Sequence, residues 1–243
     1  MDVNLTDEQQ MMVDSAREFL RDACPLATVR DWEKLPDRYP REIWARMAEM
    51  GWTGAIYPEA FGGLGLTNLD MALLMREMGR VALPSPILST VLLAGRAILA
   101  GGSEAQKQGL LPKIAAGEVL LSFALTEASA RPDAATVRTS ARAVGDGYVL
   151  NGTKHFVEFA EQAGQMLVVA RTSESANPGQ GLTMFLVDAR APGIEYIPLQ
   201  TLALQPQAKV VLQDVRVAAT GVVGRVDHAW AVLDPVIQAA TAI

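Results

Sequence analysis

The spacing of hydrophobic residues changes along the chain. From Thr6 to Gly117, apolar residues recur every three to four positions, which is the spacing of one face of an α-helix. Beyond Val119, apolar and polar residues alternate, as they do in half-buried β-strands. After Asp227 the helical spacing returns. The pattern therefore predicts a helical domain over residues 1–118, a β-domain over 119–226, and the start of a C-terminal helix over 227–243.

Capping residues mark the predicted helices of the first part. Thr6 with Gln9 and Ser103 with Gln106 have the spacing of a capping box, and Thr67 is a favourable N-cap. The charged segment between Val29 and Tyr39, which contains Pro36, is predicted to be a loop. We predict helices from Thr6 to Pro25, Pro40 to Met50, Thr67 to Arg80, Pro86 to Ala100 and Ser103 to Gly117.

The second part has the features of an antiparallel, barrel-like β-domain. Leu121, Phe123 and Leu125 alternate with smaller or polar residues, and the Asp146-Gly147 pair suits a hairpin turn, which needs positive φ. Seven short strands with little helix between them favour an all-β region. They are predicted at Leu121–Thr126, Thr136–Val144, Tyr148–Val157, Met166–Arg171, Leu182–Asp188, Ile194–Ile197 and Lys209–Val217.

Composition narrows the class of protein. The 243 residues are half hydrophobic, so the chain can bury a sizeable core. A net charge of −6 argues against a nucleic-acid partner, whose phosphates attract a basic surface. Cys24 is the single cysteine, and the two histidines are far apart in sequence, so neither a disulfide nor a metal cluster is expected. The most apolar stretch, 86–102, contains Arg96 and is too short to span a bilayer, so we expect a cytoplasmic protein without a membrane span.

The glycine-rich loop at 62–65 does not have the pattern of a phosphate-binding motif. Gly62, Gly63 and Gly65 lack the GxGxxG spacing, and no Lys-Ser/Thr pair follows. We expect a tight connection whose glycines allow close backbone approach.

Two blocks of sequence resemble the acyl-CoA dehydrogenase family. FALTE at 123–127, a loop ending in Asp133, and DGYVLNG-x-K at 146–154 are similar to the opening of that family's middle β-domain. YPE-x-FGG-x-G at 57–65 is similar to a loop of its N-terminal helical domain. The resemblance implies an α+β fold that holds FAD beside an acyl-CoA thioester, where a carboxylate removes the α-proton and the β-hydride passes to the flavin.

The resemblance also assigns residues to a cofactor site. It implies that Phe123, Leu125 and Thr126 hold the flavin through backbone groups and the threonine hydroxyl, and that Phe156, followed by Val157, lies against the isoalloxazine. The sequence departs from the family pattern at Pro132, which stands in place of a serine, and at Glu158, which stands in place of a threonine donor.

Both departures weaken the expected FAD site. Pro132 has neither a hydroxyl nor a backbone N–H to donate. An ionised Glu158 is an acceptor only, and burying it unpaired beside a ring costs several kcal/mol. The family's catalytic glutamate belongs to a C-terminal helical bundle that these residues are not expected to contain. We therefore assign no catalytic residue, and Glu127 and Glu158 are weak candidates for a base.

Two functions stay open from the sequence. One is FAD-dependent α,β-dehydrogenation of an acyl-CoA thioester, in lipid or steroid side-chain catabolism, as part of an oligomer. The other is a non-catalytic partner subunit with a degenerate flavin site in a heteromeric acyl-CoA dehydrogenase. Association as a homo- or hetero-oligomer with a related subunit is expected because several apolar C-terminal residues are predicted to have no partner within the chain. These residues are Trp230, Val232, Leu233, Val236 and Ile237.

Overall fold

A computed structural model describes residues 4–35, 38–129, 133–202 and 205–243. A helical region precedes a sheet, so the predicted α+β fold class is confirmed. The α-helices are α1 (Asp7–Ala23), α2 (Leu26–Trp32), α3 (Arg41–Glu49), α4 (Asn68–Arg80), α5 (Arg96–Gly101), α6 (Glu104–Ala115) and α7 (Ala229–Thr241), and a π-helix spans Ile87–Gly95. The strands are β1 (Leu121–Ala124), β2 (Ser140–Val144), β3 (Gly147–Glu158), β4 (Gln165–Arg171), β5 (Leu182–Asp188), β6 (Ile194–Leu199), β7 (Gln207–Ala218) and β8 (Val222–Val223).

The predicted capping boxes form. The Thr6 hydroxyl accepts from the Gln9 N–H at 3.2 Å, and the Gln9 side chain accepts from the Thr6 N–H at 3.1 Å. Each of these bonds provides an acceptor for a backbone N–H at the start of the helix, where no carbonyl of the helix itself can accept. The predicted loop between Val29 and Tyr39 is wrong at its start, because α2 continues to Trp32. Val29 is 3% exposed, and its burial holds that turn against the core.

The helix predicted from Pro86 to Ala100 is two different helices. A π-helix spans the nine residues Ile87–Gly95, after Pro86, and α5 follows. The Tyr57 hydroxyl donates to the Val91 carbonyl at 3.1 Å, and a Cβ at Gly95 would lie 1.9 Å from that hydroxyl oxygen. A side chain that reaches the backbone of a helix disturbs the regular α-helical ladder, and wider turns result. The buried tyrosine therefore accounts for the π-helix.

The sheet is mixed and is not a closed barrel: most of its strand pairs are antiparallel, as predicted, and the parallel pairs correct the prediction of an antiparallel domain. Its strand order is β6-β7-β3-β2-β4-β5-β8, and β1 pairs with β4 outside this order. The pairing of β1 with β4 is parallel, and so is the single bridge between Ser140 and Arg171 that joins β2 to β4. Parallel neighbours need a long connection. The β2–β3 hairpin lies between β1 and β4 in the chain and provides it.

The C-terminal helix packs on the chain itself, which corrects the prediction that its apolar residues have no partner. Leu233 and Val236 are buried, and Trp230, Val232 and Ile237 pack against the same core as the N-terminal helices. Gly101 leaves room for this approach, since a Cβ there would already lie 3.3 Å from the Val232 methyl groups. No helix within the described ranges is long and apolar enough to cross a membrane.

Candidate functional site

A cavity of about 320 Å³ lies between β1, the end of β3, the π-helix and α7. Five of the seven residues that the sequence assigned to a cofactor site line it: Phe123, Leu125, Thr126, Phe156 and Glu158. Val157 points the other way and is buried in the core on the opposite face of the sheet. Pro132 lies outside the described residues. The remaining lining residues are Leu88, Ser89, Leu93, Ile237, Ala240 and Thr241.

One edge of β1 turns backbone groups toward this side of the sheet. The Thr90 hydroxyl lies 3.2 Å from the Leu121 nitrogen and 2.8 Å from the Leu121 oxygen, so the backbone groups of Leu121 point away from β4. Successive residues of a strand direct these groups to opposite sides. The N–H and C=O of Phe123 and the N–H of Leu125 therefore also point away from β4, along the edge beside the cavity.

Thr126 follows β1 and is held beside the cavity by a backbone hydrogen bond to β3. Its carbonyl accepts from the His155 N–H at 2.8 Å, which ties the end of β1 to β3. Its side chain lines the cavity. A hydroxyl donates and accepts, so this position can complement either kind of polar atom.

A buried ion pair supports the floor of the site. Lys154 is fully buried, and its Nζ lies 2.7 Å from Glu127 Oε1 and 3.1 Å from the Leu125 oxygen. The Glu127 carboxylate also accepts from the N–H groups of Arg138 and Thr139, at 2.7 and 2.9 Å. The Glu127 carboxylate thus has three partners, the Lys154 ammonium and two backbone N–H groups, and it is not among the residues that line the cavity.

The protonation of this pair follows from its partners. Burial alone would raise the pKa of Glu127, but the charge and hydrogen bond of Lys154 and the backbone donor of Thr139 outweigh it and hold that pKa below its usual range. Burial lowers the pKa of Lys154 to about 8, with Glu127 opposing the shift. Both groups are therefore charged at neutral pH.

Phe156 reaches the cavity through an irregularity in β3. The register of β3 against β7 shifts between Lys154 and Val157, and Phe156 has a φ of +55°. A β-bulge re-aims side chains, and a non-glycine residue with positive φ costs about 1–3 kcal/mol. The Phe156 side chain is 56% exposed at the rim of the cavity. The bulge thus presents an aromatic face that the regular strand would have hidden.

Glu158 brings a carboxyl group into an apolar wall. It is the one charged or titratable residue among the described residues that line the cavity. Burial raises its pKa above the usual range, and a hydrogen bond with the Gln207 side chain opposes this only in part. The cavity therefore favours the neutral carboxyl, which can donate as well as accept.

The comparison with known sequences decides the family. The model of the acyl-CoA dehydrogenase N-terminal domain matches residues 6–118, and that of the middle domain matches residues 122–215. The chain belongs to the acyl-CoA dehydrogenase family. This confirms the resemblance drawn from the two sequence blocks.

Individual relatives of this acyl-CoA dehydrogenase-family chain agree with the assignment. An acryloyl-CoA reductase (NADH) from Anaerotignum propionicum is 34% identical over 232 residues, which cover 93% of this chain and 58% of the relative. A solved structure of a glutaryl-coenzyme A dehydrogenase in complex with glutaryl-CoA is similar, with a TM-score of 0.89 and 28% identity over 98% of this chain and 62% of that one. The structure of the Tcur3481-Tcur3483 steroid ACAD is also similar, with a TM-score of 0.87 and 26% identity over 98% of this chain and 62% of that one. The chain spans about three fifths of the length of each.

The family's glycine-rich loop has a packing role in this chain. A Cβ at Gly63 would lie 2.0 Å from the Tyr57 oxygen and 2.6 Å from the Gly54 oxygen. The expectation of close backbone approach is confirmed, and the loop residues are not among those that line the cavity.

Sequence reasoning missed Lys154 and the apolar half of the wall. Lys154 shares the inward face of β3 with Leu150, and a lysine at an inward position of an alternating strand indicates a buried acidic partner. Leu88 and Leu93 are five residues apart, a spacing that only the π-helix brings to one side. Within the described residues no group of three or more His, Cys, Asp or Glu is placed to hold a metal ion.

Proposed function

We propose that this chain contributes the flavin-binding wall of an FAD-dependent oxidoreductase that acts on an acyl-CoA thioester. The observation that carries the proposal is the edge of β1 that faces away from β4, together with Leu125 and Thr126, which follow β1 beside the cavity. A flavin offers both donors and acceptors along its pyrimidine ring. The Phe123 N–H and C=O, the Leu125 N–H and the Thr126 hydroxyl are a matching set of acceptors and donors.

The other lining residues suit the same ligand. Phe156 offers an exposed aromatic face for the ring, and Val157, anchored in the second core, fixes the bulge that presents it. When bound, FAD supplies the acceptor for the two electrons that leave the acyl chain. Glu158 is the residue that fits poorly when ionised, since a carboxylate only accepts; as a neutral carboxyl it fits as a donor.

The acyl group would meet the apolar part of the wall. Leu88 and Leu93 of the π-helix and Ile237 of α7 line the cavity opposite β1 and exclude water there. The named activities of the acryloyl-CoA reductase and the glutaryl-CoA complex support an acyl-CoA thioester as the substrate class, and the steroid ACAD supports lipid or steroid side chains. We assign no catalytic base, because Glu127 is held in its ion pair with Lys154 and burial raises the pKa of Glu158 without a second group beside it, among the described residues, that would take up a proton.

A second candidate is a partner subunit that does not itself turn over substrate. Glu158 favours it, since an ionised carboxylate in the cavity weakens FAD binding. The Tcur3481-Tcur3483 steroid ACAD, whose name joins two proteins, supports association with a related acyl-CoA dehydrogenase subunit. Sedimentation of the chain alone and with candidate subunits would measure this association, and a homo-oligomer is the alternative to a heteromer.

The test of the flavin wall is a fluorescence titration of the chain with FAD. Thr126→Val keeps the shape of the side chain and removes its hydroxyl, so the dissociation constant should rise about fivefold for one lost hydrogen bond of roughly 1 kcal/mol. Thr220→Val, at an exposed position away from the cavity, is the matched control and should leave it unchanged.

The outcomes separate the two candidates. Saturable binding of FAD that weakens in Thr126→Val, followed by bleaching of the bound flavin with an acyl-CoA, supports the oxidoreductase. Binding without bleaching, both in the chain alone and together with candidate subunits, favours the partner that does not itself turn over substrate. Equal FAD affinity in both threonine variants contradicts the proposed wall.

A further inference from the structure

Within the described residues, Glu158 forms no ion pair like that of Glu127 with Lys154. It ends β3 directly opposite Gln207 of β7, and this neutral amide is the hydrogen-bonding partner that opposes its change in pKa. The cavity that it faces is otherwise lined by apolar and hydroxyl side chains. Glu127, by contrast, has a lysine at 2.7 Å.

Among the residues that the structure describes, the charged groups on the surrounding elements have other partners or lie outside the cavity. Glu127 and Lys154 pair with each other, and the ring of His155 lies 6.2 Å from that of Phe156 on the same strand. Asp234 on α7 accepts from Gln238, and Arg96 donates to Asn68. Lys209 lies on β7 but does not line the cavity. Arg38 and Glu161 line a separate surface pocket that also contains Gln207.

We propose that Glu158 acts in its protonated form as a hydrogen-bond donor to the ring that this cavity binds, so that FAD binding is coupled to the uptake of one proton. The inference rests on the proposed flavin wall. Glu158 stands where the resembled family has a threonine donor, and a neutral carboxyl restores that donor while an ionised one presents a second acceptor. The balance is simple: the carboxylate gains one proton, the ring is bound, and no covalent bond to the ring forms.

The direction in which FAD affinity changes with pH follows from the linkage between FAD binding and the protonation of Glu158. A ligand that binds the protonated form holds its full affinity below the pKa of the carboxyl in the free chain. Above that pKa the affinity falls by up to tenfold for each pH unit. Because burial raises this pKa, the fall begins at a higher pH than an exposed glutamate would give.

The experiment is a set of FAD titrations of the full chain between about pH 5 and 8.5, with buffers of different ionisation enthalpy for the calorimetric arm. The unmodified chain should take up close to one proton per FAD at the upper end, and its affinity should fall as the pH rises. Glu158→Gln keeps the size and donates at every pH. It should bind FAD with a flat profile, no proton uptake, and at least tenfold more tightly than the unmodified chain at the upper end.

Two further variants make the result specific. Glu158→Thr supplies a hydroxyl donor of different shape and should also give a flat profile. Glu161→Gln removes an exposed carboxylate three residues away and should keep the slope and the proton uptake of the unmodified chain.

The inference and the proposed function fail differently. FAD binding with the same pH profile in the unmodified chain and in Glu158→Gln, or without proton uptake in the unmodified chain, overturns the inference and leaves the flavin wall standing. Absence of FAD binding in every variant at every pH overturns the proposed function and the inference with it.

Discussion

Glu127 and Glu158 are two carboxylates with opposite surroundings: Glu127 is held in a buried ion pair and is not among the cavity-lining residues, whereas Glu158 lines the cavity. Glu127 accepts from a buried lysine and from two backbone N–H groups, and its pKa is lowered. Glu158 faces an apolar cavity across from a neutral amide, and its pKa is raised. Burial pushes both pKa values upward, so the partners decide the outcome. One carboxylate is a permanent part of the scaffold, and the other is left able to exchange its proton.

The largest expected effect comes from removing the partner of Glu127. Lys154→Met leaves a buried carboxylate without its cation and should lower the free energy of unfolding by about 3–5 kcal/mol. Urea unfolding monitored by circular dichroism measures this loss. The double variant Glu127→Gln with Lys154→Met should recover part of it, because the unpaired charge is gone.

The control for this variant is Lys34→Met. Lys34 pairs with Asp31 at 2.7 Å, but both side chains are largely exposed. Exposed pairs contribute about 0–1 kcal/mol, so the change should be small. Equal losses in Lys154→Met and Lys34→Met would contradict a structural role for the buried pair.

The sequence predicted both carboxylates as candidates but not the difference between their surroundings, and the same limit applies to the fold. The hydrophobic period and the helix caps predicted the order of the helices and strands except for α2 and β8, and β5 has the bounds that the alternation predicted. The pattern could not predict the π-helix, because its cause is the contact between Tyr57 and Val91, which are far apart in the chain. It predicted a C-terminal helix but not the packing of α7 on the chain itself, because that packing depends on Gly101, beside which Val232 lies.

The family resemblance identified residues of the candidate site, and the structure showed how they are arranged around the cavity. Phe123, Leu125 and Thr126 meet Phe156 and Glu158 because β1 is parallel to β4 and a bulge re-aims the end of β3. Register and bulges are set by contacts between strands, so hydrophobic alternation does not encode them. The sequence showed that Glu158 departs from the family pattern, but it could not show that the partner of this carboxyl group is the Gln207 amide.

The second prediction uses the opposite sign of the two pKa changes. The folded-state pKa of Glu158 lies above its unfolded value, so the folded chain binds this proton more tightly. Its contribution to stability is therefore lost as the pH rises from about 4.3 through the folded pKa. Glu158→Gln should be more stable than the unmodified chain by about 1 kcal/mol at pH 7 and should lose that advantage near pH 4.

Glu127 should behave in the reverse manner. Its folded-state pKa is lowered, so its contribution is present above about pH 4.3 and is lost as the pH falls through the folded pKa. Thermal unfolding of Glu158→Gln and Glu127→Gln at a series of pH values measures both slopes. Slopes of the same sign in the two variants would contradict the contrast drawn between the sites.

The smallest and most specific prediction exchanges the partner of Glu158. Gln207 lies directly opposite Glu158 in the antiparallel pairing of β3 with β7, so the two side chains share one face. Gln207→Lys offers Glu158 the kind of cation that Glu127 already has, and it should lower the pKa of Glu158. Gln207→Leu removes the hydrogen bond that opposes the effect of burial, and it should raise that pKa further. Carbon-13 NMR of the glutamate carboxyl groups, with Glu158→Gln to assign the resonance, measures both shifts. The midpoint of FAD binding against pH should move in the same direction as the carboxyl resonance in each variant. If the two substitutions move the resonance in the same direction, the partner at 207 does not set the protonation of Glu158, and burial alone governs this carboxyl.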